Sequence, residues 1–241
     1  MIGQENILYT IEKWSSNNYL PRFMLITGQR GQGKKLLANV ISSKYNIPLI
    51  PIDTKVDSIR EMINLAYEQT EPIIYLIADA DKMSLNAKNS LLKVIEEPPN
   101  NAIFIMTLKT AENTLATIKS RCFEFTMDNY TDDDLNSFIN MLDNNISEAE
   151  RDILIGCCNN FVDIELFNKY VITEFYEYVQ KVYSNIYKVQ SANSFKIAEK
   201  LAMKNEEDKY DIELFLQTFR YLAYKNLTEL MFDNSNISKS S

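Results

Sequence analysis

Histidine is missing from this sequence, and cysteine, glycine and proline are scarce, with 3, 5 and 6 copies among 241 residues. The absence of histidine excludes imidazole-based triads, imidazole acid–base catalysis and histidine metal ligands. The cysteines, Cys122, Cys157 and Cys158, form no C-x-x-C pair, which argues against a zinc site. Their odd, sparse count favours a reducing cytoplasm. The low glycine and proline content favours long helices and few loops.

Basic charge is also in short supply, since 25 Lys and Arg residues against 33 Asp and Glu residues give a net charge of −8. Domains that bind nucleic acid on their own are usually basic, so we do not expect this chain alone to bind DNA or RNA tightly. The N-terminus lacks the features of a signal peptide, and apolar runs such as residues 73–78 are too short to cross a bilayer. The sequence therefore predicts a cytoplasmic protein with no membrane partner.

Residues 28–35, GQRGQGKK, nearly match a phosphate-binding loop. Gly28, Gly33 and Lys34 fit the pattern G-x-x-x-x-G-K-[ST], whose backbone N–H groups and lysine hold phosphates. Lys35 stands where a Ser or Thr hydroxyl would bind Mg²⁺. Its ammonium cannot coordinate the metal and would repel it. The pattern predicts a nucleotide-binding loop formed by Gly28, Gly31, Gly33, Lys34 and Lys35.

The sequence leaves two interpretations of this loop open. It either binds ATP or ADP without hydrolysing it, or it is an inherited strand-to-helix turn that binds nothing tightly. An apolar run at residues 23–26 precedes the loop and a helical pattern follows it, which is the order that aims backbone N–H groups at one point.

A second, degenerate motif follows the apolar run at residues 73–77. P-loop ATPases place an Asp at the end of such a strand for Mg²⁺ and often a Glu after it to orient water. Here Ala78 occupies the metal position and Asp79 follows it. A register shift of one residue would restore Asp79 as a metal ligand and keep hydrolysis possible. Asp81 is interpreted as a turn or helix-start residue.

Alternation of apolar runs with helical spacing predicts an α/β fold in the first half. We expect strands near residues 23–26, 47–52 at a sheet edge, 73–77, 103–107 and 123–125. We also expect a helix that begins after a cap at Ser84, and a helix at 33–44 whose apolar face carries Leu36, Leu37, Val40 and Ile41. Such a pattern is typical of a parallel sheet with helices on both faces. After about residue 130 the spacing is helical nearly to the end, and residues 147–150, SEAE, predict a capping box.

The turn Ser120-Arg121-Cys122 precedes the last predicted strand. An arginine at a subunit edge can neutralise charge on a neighbour's γ-phosphate. Taken alone, an arginine in a turn is more often a solvated or salt-bridged side chain.

Six short motifs in order give that arginine a context: GQ at 3–4, the loop at 28–35, ADKMS at 80–84, NSLLK at 89–93, EEPP at 96–99 and SRC at 120–122. Together they resemble the delta-prime subunit family of the bacterial DNA polymerase III clamp loader, which has the AAA+ fold. The resemblance covers about residues 1–130.

The resemblance implies that Arg121 acts in trans on ATP held by an adjacent gamma/tau-type subunit, with Ser120 and Cys122 as positioning and packing residues. It also implies a delta-type partner, a sliding clamp, and primed DNA reached through the complex. We therefore expect an AAA+ P-loop domain at 1–129, a helical lid at 130–174 and an abbreviated helical collar-like region at 175–241. The family's zinc module and the sensor arginine of its lid have no counterpart at 46–72 and 156–160.

Two other functions stay open at this point. A stand-alone P-loop ATPase or nucleotide kinase would need a Mg²⁺ ligand, and neither Lys35 nor Ala78 has a side-chain oxygen to supply one. A pure interaction module would leave Arg121 without a function. Tyrosines off the apolar helix stripes, such as Tyr176 and Tyr224, are candidates for a partner surface.

Overall fold

A wholly parallel five-stranded sheet organises the first half of the chain, as its apolar runs predict. The strands lie in the order β2-β3-β4-β1-β5. Their bounds are β1 Phe23–Thr27, β2 Leu49–Ile52, β3 Ile73–Ile77, β4 Ala102–Leu108 and β5 Phe123–Thr126. The predicted edge strand near 47–52 is confirmed, since β2 pairs on one side only, with β3.

Helices cover both faces of the sheet, so side chains alternate between two apolar cores. The helices of this half are α1 Glu5–Ser16, α2 Lys34–Tyr45, α3 Val56–Glu68, α4 Leu85–Glu96 and the short α5 Ala116–Lys119. Met24 and Ile26 of β1 pack in a core with α1 and α2, whereas Leu25 packs in the core with α3 and α4. This alternation follows from the two-residue period of a strand.

The predicted cap of α4 is confirmed, whereas the predicted apolar face of α2 is wrong at one residue. Ser84 caps α4 by accepting a hydrogen bond from the N–H of Ala87 at 3.2 Å. In α2, Leu37, Ala38 and Ile41 are buried, but Leu36 is 50% exposed. The placement of Leu36 on the apolar face was wrong, because α2 turns Ala38 rather than Leu36 toward the sheet.

The second half is helical, with α6 Asp132–Leu142, α7 Glu148–Cys157, α8 Phe161–Lys169, α9 Ile172–Lys188 and α10 Ile212–Ile237. The capping box before α7 is confirmed: the N–H of Glu150 donates to Ser147 Oγ, and the N–H of Ser147 donates to Glu150 Oε2 at 3.0 Å. Its core includes Phe167, Phe175 and Leu222.

The computed structural model describes residues 1–142, 146–169, 172–188 and 212–237, and the chain divides into two compact units, Met1–Asn129 and Tyr130–Ser241. The predicted collar-like region at 175–241 therefore lies partly outside the described residues. No helix within the described ranges has the length and apolar content needed to span a membrane.

Candidate nucleotide loop and arginine turn

The predicted phosphate-binding loop joins the carboxyl end of β1 to α2 at the same sheet edge as the ends of β3 and β4. Ile26 is in register with Thr107 of β4, and Ile77 of β3 with Met106. The N–H of Gly28 donates to the carbonyl of Leu108 at 3.1 Å. The structure therefore brings the predicted loop and the degenerate acidic motif together, as parallel strands require.

Lys34 of the loop is held by the loop's own backbone. Its ammonium donates to the carbonyls of Gly28 at 2.6 Å and Gln29 at 2.7 Å. Burial lowers the pKa of Lys34, and the negative charges of Asp79 and Asp81 oppose this shift. The side chain expected to contact phosphates is thus hydrogen-bonded to the backbone of its own loop.

Lys35 lies beside Asp79, and a second lysine joins them. The ammonium groups of Lys35 and Lys82 each lie 3.7 Å from Asp79 Oδ2, with all three side chains about half exposed or more. Asp79 adopts a left-handed conformation (φ 53°), and its N–H donates to Thr107 Oγ1 at 2.9 Å. That bond turns the chain after β3 and presents the carboxylate to the loop.

This arrangement does not fit the Mg²⁺ that P-loop sites usually hold. Mg²⁺ requires oxygen ligands in near-octahedral geometry. Lys35 offers no oxygen side chain, Ala78 offers no polar atom, and the Asp79 carboxylate is already shared by two ammonium groups. Across the described residues, no group of three or more Cys, Asp or Glu side chains is placed to hold a metal ion.

Asp81 is a turn residue, as interpreted from the sequence. It lies in a short 3₁₀ turn, Ala80–Lys82, and its Oδ2 accepts a hydrogen bond from the N–H of Lys109 at 2.8 Å. It therefore ties the segment after β3 to the segment after β4.

Gln32 is a loop residue that the sequence analysis missed. It is buried, its Oε1 accepts the N–H of Gln29, and its Nε2 donates to Asn129 Oδ1 at 2.7 Å. Gln4 pairs with Asp128 in a similar way, donating to its carbonyl at 2.8 Å and accepting its N–H at 2.9 Å. The polar residues 4 and 32 were visible in the sequence, but their partners are about 100 residues away.

The arginine turn lies between α5 and β5, and Arg121 is exposed. Its Nη1 donates to the carbonyl of Thr117 at 3.2 Å and reaches Ser120 Oγ at 3.4 Å, within its own turn. No ion pair of Arg121 is found in the part of the chain that the structure describes.

The register of the sheet places this arginine far from the chain's own loop. Because β5 runs parallel to β1, with Met24 opposite Phe123 and Thr27 opposite Thr126, Arg121 lies at the amino ends of the strands. The loop begins at the carboxyl end of β1. Four strand steps of about 3.3 Å each, from Met24 opposite Phe123 to Gly28, span about 13 Å, and Arg121 lies in the turn two residues before Phe123. An arginine side chain cannot cross that distance to a phosphate on its own loop.

The neighbours of Arg121 hold the turn in place. Cys122 packs against the core that includes α3 and α4, and burial raises the pKa of its thiol to about 12. Ser120 Oγ donates to the carbonyl of Thr117 at 3.1 Å. Both contacts are consistent with the packing and positioning roles implied by the resemblance.

In the second unit, the cysteines of the segment expected to lack a sensor arginine are buried. Burial raises the pKa of the Cys157 thiol to about 12 and that of Cys158 well above its usual value. Of the tyrosines that are candidates for a partner surface, Tyr224 is 67% exposed, but Tyr176 is partly buried and packs beside the core.

The sequence is similar to subunits of DNA polymerase III. Residues 49–131 match the family model described as DNA polymerase III, delta subunit. The DNA polymerase III subunit gamma of Buchnera aphidicola is 27% identical over 194 residues, which cover 66% of this chain and 53% of the relative. The chain spans about half or less of the length of the curated relatives it matches.

Solved structures show the same fold at low identity. A RuvB variant of Thermotoga maritima gives a TM-score of 0.59 at 18% identity, covering 86% of this chain and 72% of that one. A DNA polymerase III gamma subunit-related protein of the same organism gives 0.56 at 16% identity, covering 87% and 82%.

The parallel sheet, the loop after β1 and these structural neighbours define an AAA+-type fold. Within that class, the chain is related in sequence to the clamp-loader subunits of DNA polymerase III, as its ordered motifs predict.

Proposed function

We propose that the chain is a non-hydrolysing, delta-prime-like subunit of a clamp loader, which donates Arg121 in trans to ATP held by a neighbouring gamma/tau-type subunit. The observation that carries the proposal is the position of Arg121: exposed, without a carboxylate partner among the described residues, and separated from the chain's own loop by about 13 Å of paired strand. An arginine in this place is available to a neighbour and not to its own nucleotide.

The electrostatics of the turn favour this role. An arginine finger stabilises charge that develops on the transferred phosphoryl group. A guanidinium already neutralised by a carboxylate would contribute less. Among the described residues, the hydrogen bonds of the Arg121 side chain go to neutral oxygens of Thr117 and Ser120, which orient the side chain and leave its charge intact.

The chain's own loop supports the non-hydrolysing half of the proposal. Hydrolysis in a P-loop site needs a metal bridging the β- and γ-phosphates. Lys35 and Lys82 both lie on the carboxylate that would be its remaining ligand. A stand-alone ATPase or kinase is therefore disfavoured, including the version in which a register shift makes Asp79 the metal ligand.

The proposed assembly and domain roles follow from the same relatives. Residues 1–129 would serve as the AAA+ domain, 130–174 as the lid and 175–241 as the collar-like region. The partners would be gamma/tau-type and delta-type subunits and a sliding clamp, with primed DNA contacted through the complex. A net charge of −8 suits a subunit that leaves the DNA contacts to basic partners.

The test is reconstitution with a gamma/tau-type ATPase partner, reading DNA-stimulated ATP hydrolysis and clamp loading. We expect Arg121→Ala to lower both about tenfold or more, because removal of arginine fingers in related phosphoryl-transfer systems costs far more than this at the affected site. Arg121→Lys should recover only part of the activity, since it keeps the charge but loses the planar fork.

Arg60→Ala is the matched control, because Arg60 is an exposed arginine of α3 in the same unit. It should leave both activities unchanged. Equal activity of the Arg121→Ala and wild-type complexes, with assembly intact, would show that the arginine has no role in trans. The chain would then be an interaction module only.

A further inference from the structure

We propose that the loop binds the diphosphate group of a nucleotide without a divalent metal, with the ammonium groups of Lys35 and Lys82 supplying the positive charge. This inference rests on the non-hydrolysing half of the proposed function, and it takes up the interpretation of the sequence in which the loop binds ATP or ADP without hydrolysing it. It goes further by naming the charge state of the ligand and the residues that select it.

The arrangement of charges supports a metal-free anion. Three ammonium groups, from Lys34, Lys35 and Lys82, meet two carboxylates, from Asp79 and Asp81, at the carboxyl edge of the sheet. Asp81 is also engaged by the N–H of Lys109. The local balance is therefore positive, beside the first turn of α2, where backbone N–H groups and the helix dipole favour anions.

Lys35 and Lys82 lie beside Asp79, the carboxylate that would be left to bind a metal. Both approach the same oxygen, Oδ2, at 3.7 Å, and both side chains remain largely exposed. Each can therefore turn from the carboxylate toward a phosphate oxygen without crossing a packed core. A phosphate oxygen is a strong partner, since charge-assisted hydrogen bonds are roughly twice as strong as neutral ones.

The same charges oppose a metal-bound nucleotide. A divalent cation placed beside Asp79 would be repelled by Lys35 and Lys82. Mg²⁺ bound to the nucleotide would also neutralise the phosphate charge that attracts these lysines. Free Mg²⁺ should therefore weaken binding here, whereas it strengthens binding in an ordinary P-loop site.

Lys34 limits the affinity. Its ammonium must leave the carbonyls of Gly28 and Gln29 before it meets a phosphate. Burial removes part of the water around this ammonium and thereby lowers the pKa of Lys34. An anionic partner would stabilise the charged form of the side chain. The exchange replaces two neutral acceptors by one charged acceptor.

The experiment is calorimetric titration of the purified full chain with ADP and, separately, with pyrophosphate, each in EDTA and in excess Mg²⁺. We expect binding in EDTA that weakens at least threefold in Mg²⁺. Pyrophosphate binding as tight as ADP would show that the diphosphate alone is recognised. Tighter ADP binding would show that the nucleoside is recognised as well.

Two variants and one control identify the residues. Lys35→Thr restores the usual hydroxyl and should reverse the metal effect, so that Mg²⁺ tightens ADP binding. Lys82→Thr should weaken binding in EDTA without creating a preference for Mg²⁺. Lys44→Thr, at the exposed far end of α2, is matched in charge and helix and should bind as the wild type does.

Absence of binding in EDTA, or tighter binding of the wild type in Mg²⁺, would overturn the inference. Either result would leave the effect of Arg121→Ala on the partner intact, so it is distinguishable from failure of the proposed function. Conversely, loss of the Arg121 effect would leave the titrations unchanged.

Discussion

The phosphate loop and the arginine turn use basic side chains in opposite ways. In the loop, the ammonium of Lys34 donates to two backbone carbonyls, and that of Lys35 lies 3.7 Å from the Asp79 carboxylate. In the turn, Arg121 is exposed, and its side-chain hydrogen bonds within the described part of the chain go to neutral oxygens. The two lie at opposite ends of parallel strands. The comparison teaches that the lysines of the loop are engaged by carbonyls and a carboxylate of the same chain, whereas Arg121 has no carboxylate partner among the described residues.

The largest expected effect comes from crowding the loop. A Cβ at Gly28, where φ is 154°, would collide with Gln32 Oε1 and approach Met127 Cβ to 2.9 Å. We expect Gly28→Ala to lower the free energy of unfolding by about 3 kcal/mol, through overpacking and backbone strain together. Urea denaturation measures this change.

Gly31→Ala is the control for backbone strain, since Gly31 also has a positive φ, of 82°. It should cost about 1 kcal/mol. Equal losses for the two variants would show that the contact between Gly28 and Gln32 does not shape the loop, and would weaken the view that the loop is held internally.

The sequence predicted the elements of this region but not its polar contacts. The strands were predictable because buried parallel strands are continuous apolar runs. The starts of α4 and α7 were predictable from Ser84 and Ser147, because capping depends on neighbouring residues only. The hydrogen bond between Gln32 and Asn129, and that between Asp79 and Thr107, join residues from separate elements. No local pattern specifies such pairs.

The helix α2 shows a different limit. Leu36 and Leu37 are equally apolar, and the sequence places them side by side, so hydrophobicity alone does not say which one faces the sheet. The rotation of the helix is set by how it packs, with Leu37, Ala38 and Ile41 inward. For the same reason, the sequence showed that Lys35 replaces a metal-binding hydroxyl but not that its ammonium reaches Asp79.

The next largest effect should come from removing the carboxylate between the two lysines. Asp79→Asn frees Lys35 and Lys82 and keeps a residue that tolerates the left-handed backbone. We expect binding of pyrophosphate in EDTA to tighten about tenfold, with a strong dependence on salt. Titration at two ionic strengths measures both.

The matched control is Asp57→Asn, which removes an exposed carboxylate from α3. It should bind pyrophosphate as the wild type does. Unchanged or weaker binding by Asp79→Asn would contradict the assignment of the lysines to the ligand.

A smaller effect is expected in the arginine turn. Ser120 Oγ lies 3.4 Å from Arg121 Nη1, a weak hydrogen bond, and the carbonyl of Thr117 remains as a second acceptor. Ser120→Ala should therefore lower the partner's ATP hydrolysis only about twofold, with no change in stability. Ser16→Ala, which removes a comparable hydroxyl-to-carbonyl bond on α1, should have no effect on hydrolysis.

The smallest effect should follow treatment of the native protein with iodoacetamide. Burial raises the pKa of the Cys122 and Cys157 thiols to about 12, and that of Cys158 well above its usual value, so all three stay protonated at pH 8. Because the thiolate is the nucleophile, alkylation should be slow until the chain unfolds. Mass spectrometry of native and urea-unfolded protein checks this, and rapid native labelling of Cys122 would show that the turn opens.

The most direct test of the central claim is a distance. A nitroxide on an Arg121→Cys variant, assembled with the ATPase partner and Mn²⁺-ATP, allows pulsed electron paramagnetic resonance to measure how far residue 121 lies from the bound metal. The account predicts that the label lies closer to the partner's Mn²⁺ than residue 121 lies to its own loop, from which about 13 Å of paired strand separates it. A label remote from every ATP-bound Mn²⁺ in the assembly would contradict it.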